Sequence, residues 1–191
     1  KDLKRLFAYS SIAHVGLITA GILTVSEMGL QGSMVQMMAH GINVVGLFYV
    51  CQILYRKFNS HDINAFGGLR LNAPLFAGLY LVIMLASVAL PLTNAFPGEF
   101  MLLNSVYAVN PWICLFAGSG VILGAVYMFT SYKKVMLGEL NNKTNSFTEI
   151  DSLDKWVLIP IVILIFVFGL YPSFITNISE DAVKGIIQIY Q

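Results

Sequence analysis

Three ionisable side chains fall deep inside apolar runs: His14, His40 and Glu99. Tyrosines and cysteines apart, no other titratable group sits well within such a run. A charge at mid-bilayer costs about 2.5–3.5 kcal/mol on insertion scales, so residues of this kind face a protein interior and find partners there. One carboxyl and two imidazoles in that setting suit a relay that takes up, passes on and releases protons through water. Each also has a plainer reading. A lone histidine in a span is often a hydrogen-bonded packing residue, and Glu99 could cap the free N–H groups of a helix that begins beside it. No two of the three stand at ligand spacing on one helix, so no metal site is expected.

Polar residues recur at helical spacing around the two imidazoles. Ser10 and Ser11 precede His14 by four and three residues, and Gln36 and Asn43 flank His40 on one face. Thr93, Asn94, Tyr127 and Ser131 are further candidates for holding bridging waters. His61, in a polar stretch, is expected to be solvated and without a special role. Lys133-Lys134 reads as an interfacial anchor.

Glu99 follows a break. Between residues 91 and 100 the chain reads Pro-Leu-Thr-Asn-Ala-Phe-Pro-Gly-Glu-Phe, where two prolines remove donors and free carbonyls inside an apolar run. Residues 74–107 are too long for one straight crossing and predict two half-helices joined at about residues 91–96. Interrupted backbone at membrane depth is tolerated where protein or a wet cavity satisfies it, and an ionisable group beside it marks a candidate ion site.

The composition sets the environment. Hydrophobic residues make up 57% and charged residues 11%. Mean hydropathy is +0.75, whereas soluble domains carry about 25% charged residues. The chain is therefore expected to be an all-α, polytopic integral membrane protein, and its net charge of +1 gives no support to nucleic-acid binding. Cys51 and Cys114 lack CxxC or Cys/His spacing and read as small buried hydrophobes. The chain opens at Lys1 with no signal-peptide pattern, and is expected to be part of a longer protein.

Spans are predicted at about residues 6–25, 30–55, 74–107 (broken), 112–132 and 156–171, with a short link at 26–29, polar loops at 56–71 and 138–155, and an amphipathic tail. If the broken segment crosses once there are five crossings, and ten of the eleven basic residues lie on one side, leaving Lys184 alone on the other. Two separate crossings would erase that asymmetry, so five are expected, with the start of the chain on the negative side of the membrane, cytoplasm or matrix.

The motifs and their order carry a resemblance. Asp2-Leu3-Lys4-Arg5-Leu6-Phe7-Ala8-Tyr9-Ser10-Ser11-Ile12-Ala13-His14-Val15-Gly16, Gln36-Met37-Met38-Ala39-His40-Gly41, Gly67-Gly68-Leu69, Leu90-Pro91 through Gly98-Glu99-Phe100, and Gly169-Leu170-Tyr171-Pro172 resemble successive signatures of the antiporter-like subunits of respiratory complex I, most of all the subunit M (mitochondrial subunit 4) type. The resemblance covers essentially the whole chain. It implies a discontinuous helix in half of an inverted-repeat fold, with residues 1–135 as most of the second repeat and 153–191 as a final span and tail of a single membrane domain. It also implies that His14 and His40 lie on a central hydrophilic axis and that Glu99 is the terminal protonatable group of the proton path. The sister subunits usually have lysine at that point, so Glu99 favours the M type.

The function expected from this resemblance is proton translocation in the membrane arm of an NADH:quinone oxidoreductase, in the bacterial plasma membrane or the mitochondrial inner membrane. The resemblance also implies that the chain itself carries no cofactor. NAD, FMN, iron–sulfur clusters and quinone are expected in other subunits, and the partners are other membrane-arm subunits, lipid and protons. Two alternatives stay open: a subunit of a multisubunit cation/proton antiporter, or a structural spacer in a membrane assembly with no proton traffic.

Overall fold

A computed structural model describes residues 1–190. The described residues form helices with no β-strand; the sole bridge joins Asp2 and Asp62. The helices are α1 (Leu3–Leu23), α2 (Glu27–Phe58), the single turn α3 (Leu69–Asn72), α4 (Pro74–Ser87), α5 (Ala95–Val109), α6 (Pro111–Tyr132, extended by a π turn over Lys133–Leu137), α7 (Ser152–Leu170) and α8 (Ser173–Tyr190).

Their ends follow from local chemistry. Asp2 caps α1 by accepting from Arg5 N–H, Ser26 caps α2 by accepting from Gly29 N–H, and Asn59 ends α2 with a left-handed φ of 50°. The link expected at 26–29 therefore moves to Thr24–Ser26, with Glu27 already helical. Asn110 caps α6, with Pro111 at its first position, where no donor is needed. The start of α4 has no cap from its own residues, and help comes from a distant loop: Glu149 accepts from Leu75 N–H at 2.9 Å and Phe76 N–H at 3.1 Å. Glu149→Ala should cost about 1 kcal/mol and speed amide exchange at Leu75 and Phe76; unchanged exchange there would dispose of the capping role.

α2 is the axle of the bundle, touching α1, α4, α5, α7 and α8. At 32 residues it is about 48 Å long, well over a hydrocarbon core of about 30 Å. α4 and α5, at 14 and 15 residues, reach only about 21 and 22 Å each. Together they line α2 antiparallel. Gly46 faces Ile83, Asn43 reaches Ala86, Ala39 meets Asn94, Gln36 meets Gly98 and Gly32 meets Leu102. Positions descend along α2 as they ascend through both half-helices, so α4 and α5 make one interrupted crossing. With α1, α2, α6 and α7, which are each long and apolar enough to span, this makes five.

The interruption runs from Val88 to Asn94, a little earlier than the prolines predict. Pro97 lies in the first turn of α5, among N–H groups that have no intrahelical partner anyway, so it does not break the helix. Ala89 and Leu92 have φ of 52° and 78°, a left-handed conformation costing a β-carbon about 1–2 kcal/mol at each position. The surroundings hold them there. The carboxamide of Asn43 on α2 donates to Ala86 O at 3.1 Å, and that of Asn94 donates back to Ala39 O of α2 at 3.3 Å. Gly169 of α7 also lies directly against Leu92 O and Thr93, where no β-carbon would fit. The end of the break, at Thr93 and Asn94, is thus enclosed by protein, while Leu90, Pro91 and Leu92 stay exposed.

Leu3 N–H donates to His61 O, Asn141 donates to Ala65 O and Asn72 donates to Asn145 O, so the start of α1 and both long loops gather at one end. α8 lies at the other end, where Ser179 Oγ–H donates to Gln31 Oε1 near the start of α2. This is the basic-side arrangement that five crossings require. The outer faces of α6 and α7, with Trp112, Phe116, Ile122, Leu123 and Ile163 exposed, are apolar, as a lipid-facing surface is. The molecule is an integral membrane protein.

Candidate functional site

Glu99 is the fifth residue of α5 and is 3% exposed. Helical phase turns it toward α1 and α2. Its Oε1 lies 3.0 Å from His14 Nδ1 of α1 and accepts from Gln36 Nε2 of α2 at 3.2 Å. The capping alternative is not what the carboxylate does: its recorded partners are these two side chains on other helices. Asn94, at the cap position of α5, makes no capping bond either.

His40 stands one step further along. Its ring lies 5.5 Å from that of His14, centroid to centroid, and its Nε2 is 2.8 Å from Ser11 Oγ. Glu99, His14, His40 and Ser11 therefore form a chain of exchangeable protons drawn from three helices, with one gap, between the imidazoles. A cavity of about 10 Å³ meets that gap, lined by Ser10, Ser11, His14, Gln36, His40 and Asn43 with Ser87 and apolar neighbours. That is close to the room one water needs. Gln36 Oε1 and Asn43 Oδ1 are buried acceptors without a protein donor, which is polarity a water can answer.

The approach of α5 to α2 depends on Gly98. A β-carbon there would lie 2.6 Å from Gln36 Oε1 and 2.9 Å from Gln36 N. The glycine before the glutamate is what lets the carboxylate come within reach of Gln36.

Not every polar candidate joins this site. Ser131 Oγ–H donates to Met128 O and Thr93 Oγ1–H to Leu90 O, both within their own segments. Tyr127 lines a separate cavity with His14. His61 is more engaged than expected: it stacks on Tyr55 at 4.5 Å and its Nδ1 lies 3.4 Å from Cys51 Sγ. Cys51 is buried, while Cys114 is only partly so and its Sγ–H donates to Leu103 O.

The family model described as "NADH:quinone oxidoreductase/Mrp antiporter, TM" matches residues 1–124, a stretch that holds all three site residues. The chain belongs to this family. The subunit M of NADH-quinone oxidoreductase from Rickettsia prowazekii is 39% identical over 188 residues, which cover 98% of this chain and 38% of the relative. Chain 4 of NADH-ubiquinone oxidoreductase from Chondrus crispus is 35% identical over 185 residues, with shares of 96% and 38%. Among solved structures, a chain of respiratory complex I from Thermus thermophilus with bound NADH superposes with a TM-score of 0.94 at 27% identity, covering all of this chain and 40% of that one. The chain spans about 38% of the length of these sequence relatives.

One ion pair of this antiporter-family chain escapes a reading of the sequence, because its partners are 98 residues apart. Asp154, fully buried in the first turn of α7, pairs with Arg56 at the end of α2 and accepts from Tyr49 O–H at 2.9 Å. It pins α7 to the axle. Arg56→Ala strands the carboxylate, which costs about 3–5 kcal/mol for a fully buried pair. The half-exposed guanidinium lowers the expectation to about 2–3 kcal/mol. Thermal unfolding of the detergent-purified complex checks it, and an unchanged midpoint would count against the pin.

Proposed function

We propose that this chain supplies the proton-conducting part of a subunit of the M type in the membrane arm of an NADH:quinone oxidoreductase. Glu99 takes up and releases the proton, His14 exchanges it across the 3.0 Å contact, and His40 with Ser11 continues the path through water. That contact is the observation that carries the proposal, because a carboxylate this buried at membrane depth needs either a neutralising partner or a proton of its own. The pair can hold the proton on either side: an imidazolium donates to the carboxylate, or the carboxylic acid donates to neutral imidazole. Gln36 holds Oε1 in place in both states.

In this reading the energy comes from NADH oxidation and quinone reduction in other subunits, where NAD, FMN, iron–sulfur clusters and quinone are held, and the partners here are the neighbouring membrane-arm subunits. The antiporter alternative belongs to the same family, but the relatives described above are named as oxidoreductase subunits. The test is proton pumping by membranes containing the full-length subunit with Glu99→Gln. A large loss with assembly intact supports the proposal, whereas pumping at the unmodified rate would leave only the structural-spacer reading.

A further inference from the structure

Two cavities that share one side chain, Tyr127, join the level of His14 to the basic end of the molecule. The inner cavity, about 50 Å³, runs between α1 and α6; its walls are apolar (Ala13, Leu17, Ala117, Gly120, Val121, Gly124), with His14 and Tyr127 as its polar groups. The outer cavity, about 370 Å³, opens at the start of α1 and is lined by Lys1, Asp2, Arg5, Leu6, Tyr9 and again Tyr127. The inner space exceeds the 10–15 Å³ that a single water needs. At the mouth Arg5 donates to the Tyr9 hydroxyl at 3.5 Å, and Asp2 supplies a carboxylate.

We infer that protons from the basic face reach His14 through this passage between α1 and α6, with the Tyr127 hydroxyl handing them across the narrowing. The transfer balances at each group. A hydronium ion drawn from solution into the outer cavity gives a proton to the Tyr127 oxygen and is left as water, while the phenolic O–H proton passes to a water in the inner cavity, so the phenol ends unchanged. The inner water then protonates the imidazole of His14, which passes a proton to Glu99. Only O–H and N–H bonds break and form. Apolar walls matter because they offer no side chain that would stop the proton on its way.

This inference rests on the proton-carrying role of Glu99, and the experiment keeps the two apart. In the assembled full-length complex, with Cys51 and Cys114 replaced by alanine, Gly120→Cys places a thiol in the inner cavity at a position where a β-carbon meets nothing within 4 Å. A membrane-impermeant methanethiosulfonate should modify it from the basic face only, and pumping should then fall about tenfold. Tyr127→Phe, which keeps the ring and loses only the hydroxyl, should slow pumping by about a hundredfold, the lower end for loss of a positioned proton-transfer group. Modification from the opposite face only, no modification, or unchanged pumping after modification would overturn the passage. Unchanged pumping in Tyr127→Phe would remove the hydroxyl from it. Glu99→Gln, run in parallel, separates the failures: if it stops pumping while the Gly120 and Tyr127 variants do not, only the route is wrong, and if it pumps normally the proton reading itself falls.

Discussion

Glu99→Gln is expected to lower proton pumping by about a hundredfold, within the range for removing a positioned proton-transfer group, while the complex still assembles. The amide has the shape of the carboxyl and keeps an acceptor for Gln36 Nε2–H and His14 N–H, so the contacts at 3.2 and 3.0 Å survive. What it loses is the proton. Glu99→Asp retains a carboxyl but withdraws it by one methylene from both partners, and should fall between the two. His14→Gln removes the exchange partner and should add little to the loss caused by Glu99→Gln, because groups that act as one unit are strongly non-additive. Vesicle acidification measured beside a native gel of the assembled complex gives both readings; fully additive losses would separate His14 from Glu99 mechanistically.

The second large effect is expected one residue earlier. Alanine is about 1 kcal/mol better than glycine within a helix, so by propensity alone Gly98→Ala would stabilise α5. Packing reverses the sign. The added methyl lands 2.9 Å from Gln36 N and 3.0 Å from Gln36 Cα, and backbone atoms of α2 cannot rotate away as a side chain would. Overpacking of this kind costs about 1–3 kcal/mol. It also pushes α5 away from α2 exactly where the next side chain must reach Gln36 and His14, and a misplacement of about 1 Å is worth about a hundredfold in rate. Gly98→Ala should therefore unfold at a lower temperature and pump far more slowly with Glu99 still present. Normal pumping would mean that close approach at this point is dispensable.

Much of this architecture could be read from residue order because lipid imposes strict rules. Apolar runs of a given length must be helices, basic residues collect on one side, and a charge deep in a span must face protein. Those rules pick out five crossings, the interrupted segment and the trio His14, His40 and Glu99, and helical spacing joins Gln36 and Asn43 to His40. The same reasoning places the break slightly too late. Proline marks where a helix can end, but Pro97 sits where its missing donor costs nothing, and the actual turn is made by Ala89 and Leu92, whose left-handed angles no residue type announces.

What residue order cannot supply is pairing across distance. Arg56 with Asp154, Glu149 with the start of α4, and Gly169 against Leu92 O join positions from 73 to 98 residues apart. None follows a period that local reasoning could detect. The sequence alone determined that a carboxyl and two imidazoles lie buried in a membrane beside a broken helix, because hydrophobicity and spacing are properties of neighbours along the chain. Only the tertiary structure decided that Glu99 meets His14 and Gln36 and caps nothing, because that depends on the rotation of α5 against α1 and α2, which is set by side chains interlocking between helices.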